Sequence, residues 1–147
     1  MELKQLSVFV ENKSGAVSSV LDTLSEHHID LYALSIADTA DFGILRLIVR
    51  DPEGTAALLR ELGFVAKING VLAIAVDDRP GGLAKPLSLL SEQGISVEYL
   101  YAFMAKSDAG ALVILRTDRR DDARTTLEAN GIRTLNAEEV YNQKALS

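Results

Sequence analysis

The sequence repeats itself. Leu6-Ser-Val-Phe-Val-Glu-Asn-Lys-Ser-Gly-Ala-Val17 returns as Leu72-Ala-Ile-Ala-Val-Asp-Asp-Arg-Pro-Gly-Gly-Leu83, sixty-six positions later. In that register Asn12 falls on Asp78, Lys13 on Arg79, Gly15 on Gly81, Leu21 on Leu87, Leu24 on Leu90 and Ile29 on Ile95. One inserted residue brings 43–51 onto 110–118, and one more brings Gly63-Phe64 onto Gly131-Ile132. A period this long encloses a whole small domain, not one solenoid unit. The halves are expected at 1–69 and 70–147, joined at Lys67-Ile-Asn-Gly70 without a Ser/Pro-rich spacer. Each half is small for an independent core, so the two are expected to pack on each other through a pseudo-twofold interface.

Hydrophobic periodicity orders the elements within each half. Leu6, Val8 and Val10 alternate with Ser7, Phe9 and Glu11, as in a half-buried strand. Asn12-Lys-Ser-Gly15 is turn chemistry. Val17, Val20, Leu21 and Leu24 then recur at helical spacing. His27 and His28 close that helix. A strand is expected over 29–37, a turn over 38–43 and a third strand over 44–49. Asp51 caps a second helix with Pro52 in its first turn, and Gly63 ends it. A short strand over 65–68 completes the half. The second half repeats the order: strand 71–76, helix 83–93, strands 96–104 and 109–117, helix 121–130 and strand 133–135. A terminal helical turn is expected over 137–143. Each half reads β-α-β-β-α-β, so the fold class is α+β: two ferredoxin-like units, each with both helices on one face of a four-stranded antiparallel sheet. That fold hosts many functions and selects none by itself.

Charge and composition narrow the function classes. A formal net charge of −6 and scattered Lys and Arg argue against nucleic-acid binding, which needs a basic field. The chain has no cysteine, hence no disulfide framework or thiolate metal site. Its two histidines are adjacent, and neighbours on a helix point apart, so no metal is expected. No catalytic residue set, phosphate loop or cofactor motif is visible, so no enzyme activity and no cofactor are expected. No signal peptide and no apolar run of about 20 residues appears, so a cytoplasmic protein without membrane contact is expected.

The Gly turn between first strand and first helix, set in this element order, resembles the ACT domain, a small-molecule regulatory module of amino-acid metabolism. The second half carries the more typical motif: Val76-Asp-Asp-Arg-Pro-Gly-Gly-Leu83, then Leu87, Leu90 and Gly94-Ile-Ser-Val97. The first carries a looser version, Val10-Glu-Asn-Lys-Ser-Gly-Ala-Val17 with His28-Ile-Asp-Leu31. The resemblance covers residues 3–135 and points to free-standing tandem ACT proteins that bind amino acids. It implies ligands seated between ACT units, an allosteric role, and a client metabolic enzyme.

The residues themselves suggest how a free amino acid or similar small carboxylate is held. The turns Asn12, Lys13, Ser14, Gly15, Ala16, Val17 and Asp78, Arg79, Pro80, Gly81, Gly82, Leu83 each lead into a helix N-terminus, whose unpaired N–H groups favour an anion. Gly15, Gly81 and Gly82 lack a Cβ and admit close approach. The alternative is that these glycines only permit the turn, while Asn12 or Asp78 caps the helix. An ammonium partner is sought among Asp38, Asp41, Asp78, Glu11 and Glu98, with Asp38 ranked first. Tyr99, Tyr101 and Phe103 alternate on one strand and so share a face, either as packing or as a pocket wall. One expected pocket combines residues 12–17 with Tyr99, Leu100, Tyr101 and Phe103. Its mate combines 78–83 with Ser35, Ile36, Ala37 and Asp38. Both faces of the strands at 44–49 and 109–117 look partly apolar, so a homodimer is expected. A ligand-free assembly subunit docking on a metabolic enzyme is the competing reading.

Overall fold

A computed structural model describes residues 2–38, 41–103, 110–143 and 145. The expected strand ends at Met104 and Ala109, and Thr39 and Ala40 of the expected turn, lie outside the described residues. The chain divides into two compact units, one centred on Lys4–Asn69 and the other on Gly70–Lys144 with Met1–Leu3.

The first unit runs β1 (Lys4–Glu11), α1 (Ala16–Glu26), β2 (Ala33–Asp38), β3 (Phe42–Ile48), α2 (Pro52–Glu61) and β4 (Val65–Gly70). The second runs β5 (Leu72–Val76), α3 (Ala84–Glu92), β6 (Val97–Ala102), β7 (Ala111–Thr117), α4 (Arg120–Ala129) and β8 (Arg133–Leu135), then α5 (Ala137–Tyr141). Strand orders are β2-β3-β1-β4 and β6-β7-β5-β8, so both units are ferredoxin-like with the same topology. β1 pairs antiparallel with β3 at Val8 and Leu45, and β5 with β7 at Ile74 and Val113.

Side-chain alternation builds the two cores. Leu6, Val8 and Val10 of β1 meet Leu45, Leu47 and Val49, Val20 and Leu24 of α1, and Ala56 and Leu59 of α2. Leu72, Ile74 and Val76 likewise meet Val113, Leu115, Leu90, Ala123 and Leu127. The period of two predicted a strand half-buried on one face, yet β1 is buried on both over Gln5–Val8. Its second face is polar there. Gln5 Nε2 donates to Ser7 Oγ at 3.1 Å, and Ser7 Oγ donates to Asn69 Oδ1 at 2.9 Å. These bonds meet the need of buried polar groups for partners, which allows Gln5 to sit at 0 % exposure.

Helix ends follow local chemistry. Asp51 caps α2, its side chain accepting from Gly54 N at 3.1 Å, with Pro52 in the first turn. Gly63, Gly94 and Gly131 take φ of 92°, 69° and 77° just past α2, α3 and α4. His28 does the same after α1 at φ 55°, the one such non-glycine among the described residues. His27 Nδ1 lies 2.9 Å from the Thr23 carbonyl, which ties the ring to its own helix. No helix among the described residues is long and apolar enough to cross a membrane.

Candidate functional site

At the first strand-to-helix corner, Asn12, Lys13, Ser14 and Gly15 are exposed. Gly15 is the N-cap of α1, with φ 85° and no side-chain cap bond. Among the described residues no acceptor meets the N–H groups of Ser14, Gly15, Val17 and Ser18. These are the orphan donors of a helix start, and water or a ligand must satisfy them. Ala16 and Val17 turn inward and pack on the core. Ala16 also lines the corner cavity; Val17 does not.

The second corner repeats this. Asp78, Arg79, Pro80 and Gly81 are exposed, Gly81 has φ 85°, and Leu83 packs on the core. Here the N–H groups of Gly81, Leu83 and Ala84 find no acceptor among the described residues. The same surface ion pair decorates both corners: Lys13 with Glu11 at 3.0 Å, and Arg79 with Asp77 at 3.0 Å. Gly15 and Leu83 occupy the N-cap positions of α1 and α3, and neither helix has a side-chain cap bond there. One expectation for the glycines also changes. A Cβ at Gly15 or Gly81 would meet nothing within 4 Å, but at Gly82 it would overlap the Asp77 carbonyl. The missing Cβ of Gly82 therefore makes room for the chain's own backbone, and Gly82 still lines the corner cavity.

Each corner opens into a cavity, of about 460 Å³ in the first unit and about 450 Å³ in the second. Val10, Lys13, Gly15, Gly63 and Phe64 line one; Val76, Arg79, Gly81, Gly131 and Ile132 line the other. Gly63-Phe64-Val65 and Gly131-Ile132 stand outside the expected site residues. Their recurrence in the repeat was the available signal: β4 and β8 start beside the α1 and α3 corners because each neighbours the unit's first strand.

The remaining candidates lie on edge strands. Ser35, Ile36, Ala37 and Asp38 sit on β2, which pairs with β3 alone in its sheet; Tyr99, Leu100 and Tyr101 sit on β6, which pairs with β7 alone. Within a unit these strands lie at the sheet edge opposite β4 or β8, and the corner cavities contain none of their residues. Ile36 is 55 % exposed and Asp38 is exposed at the strand end. Leu100 packs into the core under the helices, so it cannot share the tyrosines' face. Tyr99 and Tyr101 stack at 6.5 Å with rings 20° apart, and Tyr101 and Phe103 are buried. Among the acidic candidates, Glu11 is paired with Lys13, and Glu98 accepts from Arg116 Nε at 3.1 Å. Asp38, Asp41 and Asp78 are exposed.

A protein-family profile described as an ACT domain pair matches residues 1–143. The chain belongs to the ACT domain pair family. A solved structure, protein BT0572 from Bacteroides thetaiotaomicron, is 39 % identical, covers 97 % of this chain and 98 % of its own, and has a TM-score of 0.88. The ligand-free regulatory subunit of aspartate kinase from Thermus thermophilus is 15 % identical over 89 % of this chain and 94 % of its own, with a TM-score of 0.61. That of Thermus flavus is 14 % identical over 97 % and 94 %, with a TM-score of 0.57. The aspartate kinase likenesses establish the fold alone. A search of curated proteins finds no match. ACT domains are non-catalytic regulatory modules, and this chain is an ACT regulatory module. Among the described residues no group of three or more His, Cys, Asp or Glu is placed to hold a metal ion.

Proposed function

We propose that this ACT pair is an amino-acid-binding regulatory protein whose ligand sits between ACT units. The observation that carries the reading is the duplicated corner: a positive-φ glycine, orphan N–H donors and a cavity of similar size in each half. A carboxylate at the corner satisfies those donors and meets the positive end of α1 or α3. Because β2 and β6 lie away from their own unit's corner, a second ACT unit completes the site, bringing Ser35–Asp38 or Tyr99–Phe103 to the ligand's ammonium and side chain.

Magnitudes set what the rest of the site must do. Micromolar affinity is about −8 kcal/mol. A carboxylate at a helix start contributes roughly 0.3–1 kcal/mol when exposed and up to ~2 when partly buried. Side-chain burial and ammonium contacts supply the larger share. The cavities differ there, Phe9 and Phe64 lining the first and Ala75 and Ile132 the second. The two affinities therefore differ, the aromatic cavity favouring the larger apolar side chain.

The test is calorimetry and thermal unfolding with each common amino acid, on protein cleared of co-purified ligand. Saturable, stereospecific heat with a matching rise in Tm is expected. No heat and no shift with any amino acid would overturn the reading. A second reading, an assembly subunit that docks on a metabolic enzyme, is favoured by the exposed Ile36, Phe42, Leu62 and Val65 of the first unit. It goes with a homodimer, which light scattering at micromolar concentration would detect; a clean monomer would count against it.

A further inference from the structure

The second unit holds a cavity outside the glycine corners. It measures about 400 Å³ and lies among α4, β8 and α5, with Leu3, Val71, Leu72 and Leu135 as apolar floor. Its origin is a divergence between the halves. β4 runs for six residues, Val65–Gly70, whereas β8 stops after three because Asn136 caps α5. A full capping box holds that wall: Glu139 N donates to Asn136 Oδ1 at 2.9 Å, and Asn136 N donates to Glu139 Oε1 at 3.1 Å.

The helix over the cavity diverges as well. α2 and α4 each have ten residues, so they align cap to cap, Asp51 on Arg119 and Leu62 on Asn130. Leu59 then falls on Leu127, and both are buried. Pro52 and Ala56, buried in α2, fall on Arg120 and Arg124. Arg60 falls on Glu128. Thus Arg120, Arg124 and Glu128 recur every fourth residue as one stripe, and all three line the cavity. Two guanidiniums on a helix face whose counterpart is apolar need a reason.

Charge accounting indicates the ligand class. Glu139 is taken by Arg133 at 2.8 Å. The other charges lining the cavity are Arg120, Arg124, Glu2 and Glu128, two of each sign. Arg120 pairs with Glu2 and, at 3.6 Å, with Asp121, while its Nε is buried with no acceptor among the described residues. The ends of Arg120 and Glu2 lie over Gly70, whose missing Cβ leaves them room. Among the described residues Arg124 has only an ion pair at 3.6 Å with the exposed Asp121. Glu128 accepts from the Thr134 hydroxyl. A balanced pair of opposite charges over an apolar floor, in a volume at the low end of the roughly 300–1,000 Å³ usual for small-molecule sites, fits a small zwitterion.

We propose that this cavity is a second, separate binding site for a free α-amino acid, its carboxylate on Arg124 and Arg120 and its ammonium on Glu128. The proposal rests on the reading that the protein binds amino acids, but not on the glycine corners. The experiment is methyl NMR of the intact chain titrated with each common amino acid, with acetate and with methylammonium. The expected result is saturable shifts of the Val71, Leu72 and Leu135 methyls with at least one amino acid. Arg124→Gln and Glu128→Gln should each weaken that binding at least tenfold while the rest of the spectrum stays native, and Arg124→Lys should recover part of it. Shifts confined to the corners, at Val10 and Val65 or at Val76 and Ile132, would overturn the cavity and leave the proposed function standing. Shifts confined to the cavity would overturn the corners instead, and no shifts anywhere would overturn both. Acetate or methylammonium binding as tightly as the amino acid would overturn the zwitterion assignment, as would unchanged affinity in both Gln variants.

Discussion

The second helix of each half shows how one backbone has been given two surfaces. α2 starts on an Asp51 cap and buries Pro52, Thr55, Ala56 and Leu59. α4 starts on Arg119, which makes no cap bond, and buries only Ala123 and Leu127. Arg119 is spent elsewhere, donating to the Gln93 carbonyl at 2.8 Å and pairing with Asp122 at 3.5 Å. Helix position is therefore held mainly by core contact and a cap in the first unit, and by a thin apolar seam plus arginine bridges in the second. The lesson is that a duplicated fold tolerates loss of half a helix's apolar face when the seam residue equivalent to Leu59 is kept.

The largest test of that contrast is the seam itself. Leu59→Ala and Leu127→Ala each remove a side chain at 0 % exposure, and such truncations cost about 2–5 kcal/mol. Urea unfolding should show the greater loss for Leu127→Ala, since α4 has fewer apolar neighbours on the same face to retain it. Equal losses would mean that the arginines anchor α4 as well as Pro52 and Ala56 anchor α2.

The corners allow a finer cut. Gly81→Ala places a Cβ in open space at φ 85°, so its cost is backbone strain alone, about 1–2 kcal/mol. Gly82→Ala drives a Cβ into the Asp77 carbonyl and should cost more. The position equivalent to Gly82 is Ala16, so the first corner already accepts a methyl there. Ala16→Gly should be milder, at most about 1 kcal/mol. If Gly82→Ala is no worse than Gly81→Ala, the two corners are closer in shape than these contacts imply.

Much of this could be read before the structure because local rules decide it. The repeat located both Gly corners, the alternation of Leu6, Val8 and Val10 located β1, and Asp51-Pro52 with Gly63 bounded α2. What escaped was set by three-dimensional contacts that residue type alone does not show. Gln5 and Ser7 are buried only because Asn69, far along the chain, completes their hydrogen bonds. Gly82 looks like Gly81 in sequence, yet its Cβ space is filled by a carbonyl five residues back. Leu100 lies between two candidate tyrosines, and strand parity alone sends it to the opposite face. The early end of β8 was legible, since a strand over 133–135 and a helical turn after it are expected; the cavity was not, because Leu3, Val71 and Arg120 reach it from other parts of the chain.

Capping gives a smaller effect of the same kind. Asp51→Ala should cost about 0.5–2 kcal/mol, the usual loss for an N-cap acceptor. Arg119→Ala removes no cap and loses only its exposed bridges, so it should cost less in the same unfolding assay. Arg119→Asp should restore a cap to α4 and recover stability relative to Arg119→Ala. No gain over alanine would show that α4's first turn is satisfied in another way.

The smallest expected effect is with pH, at one carboxylate in each unit. The Lys4 ammonium, 2.6 Å from Glu53, holds that carboxyl below its ordinary value; the Arg133 guanidinium and the Asn136 N–H do the same for Glu139. A depressed folded-state pKa means stability that is whole above the unfolded value. It is lost as pH falls through the folded one, so both contributions disappear on the acid side of about pH 4.5. Glu53 is solvent-exposed and its pair is screened, whereas Glu139 also closes the capping box of α5. Acid should therefore cost the end of the second unit more than it costs the first. Hydrogen exchange at Glu139 and Val140, followed from pH 6 downward and compared with Glu53→Gln and Glu139→Gln, would register it. Glu139→Gln should abolish the acid step at α5, while Glu53→Gln leaves it in place; an acid step surviving in Glu139→Gln would assign it to a different carboxylate.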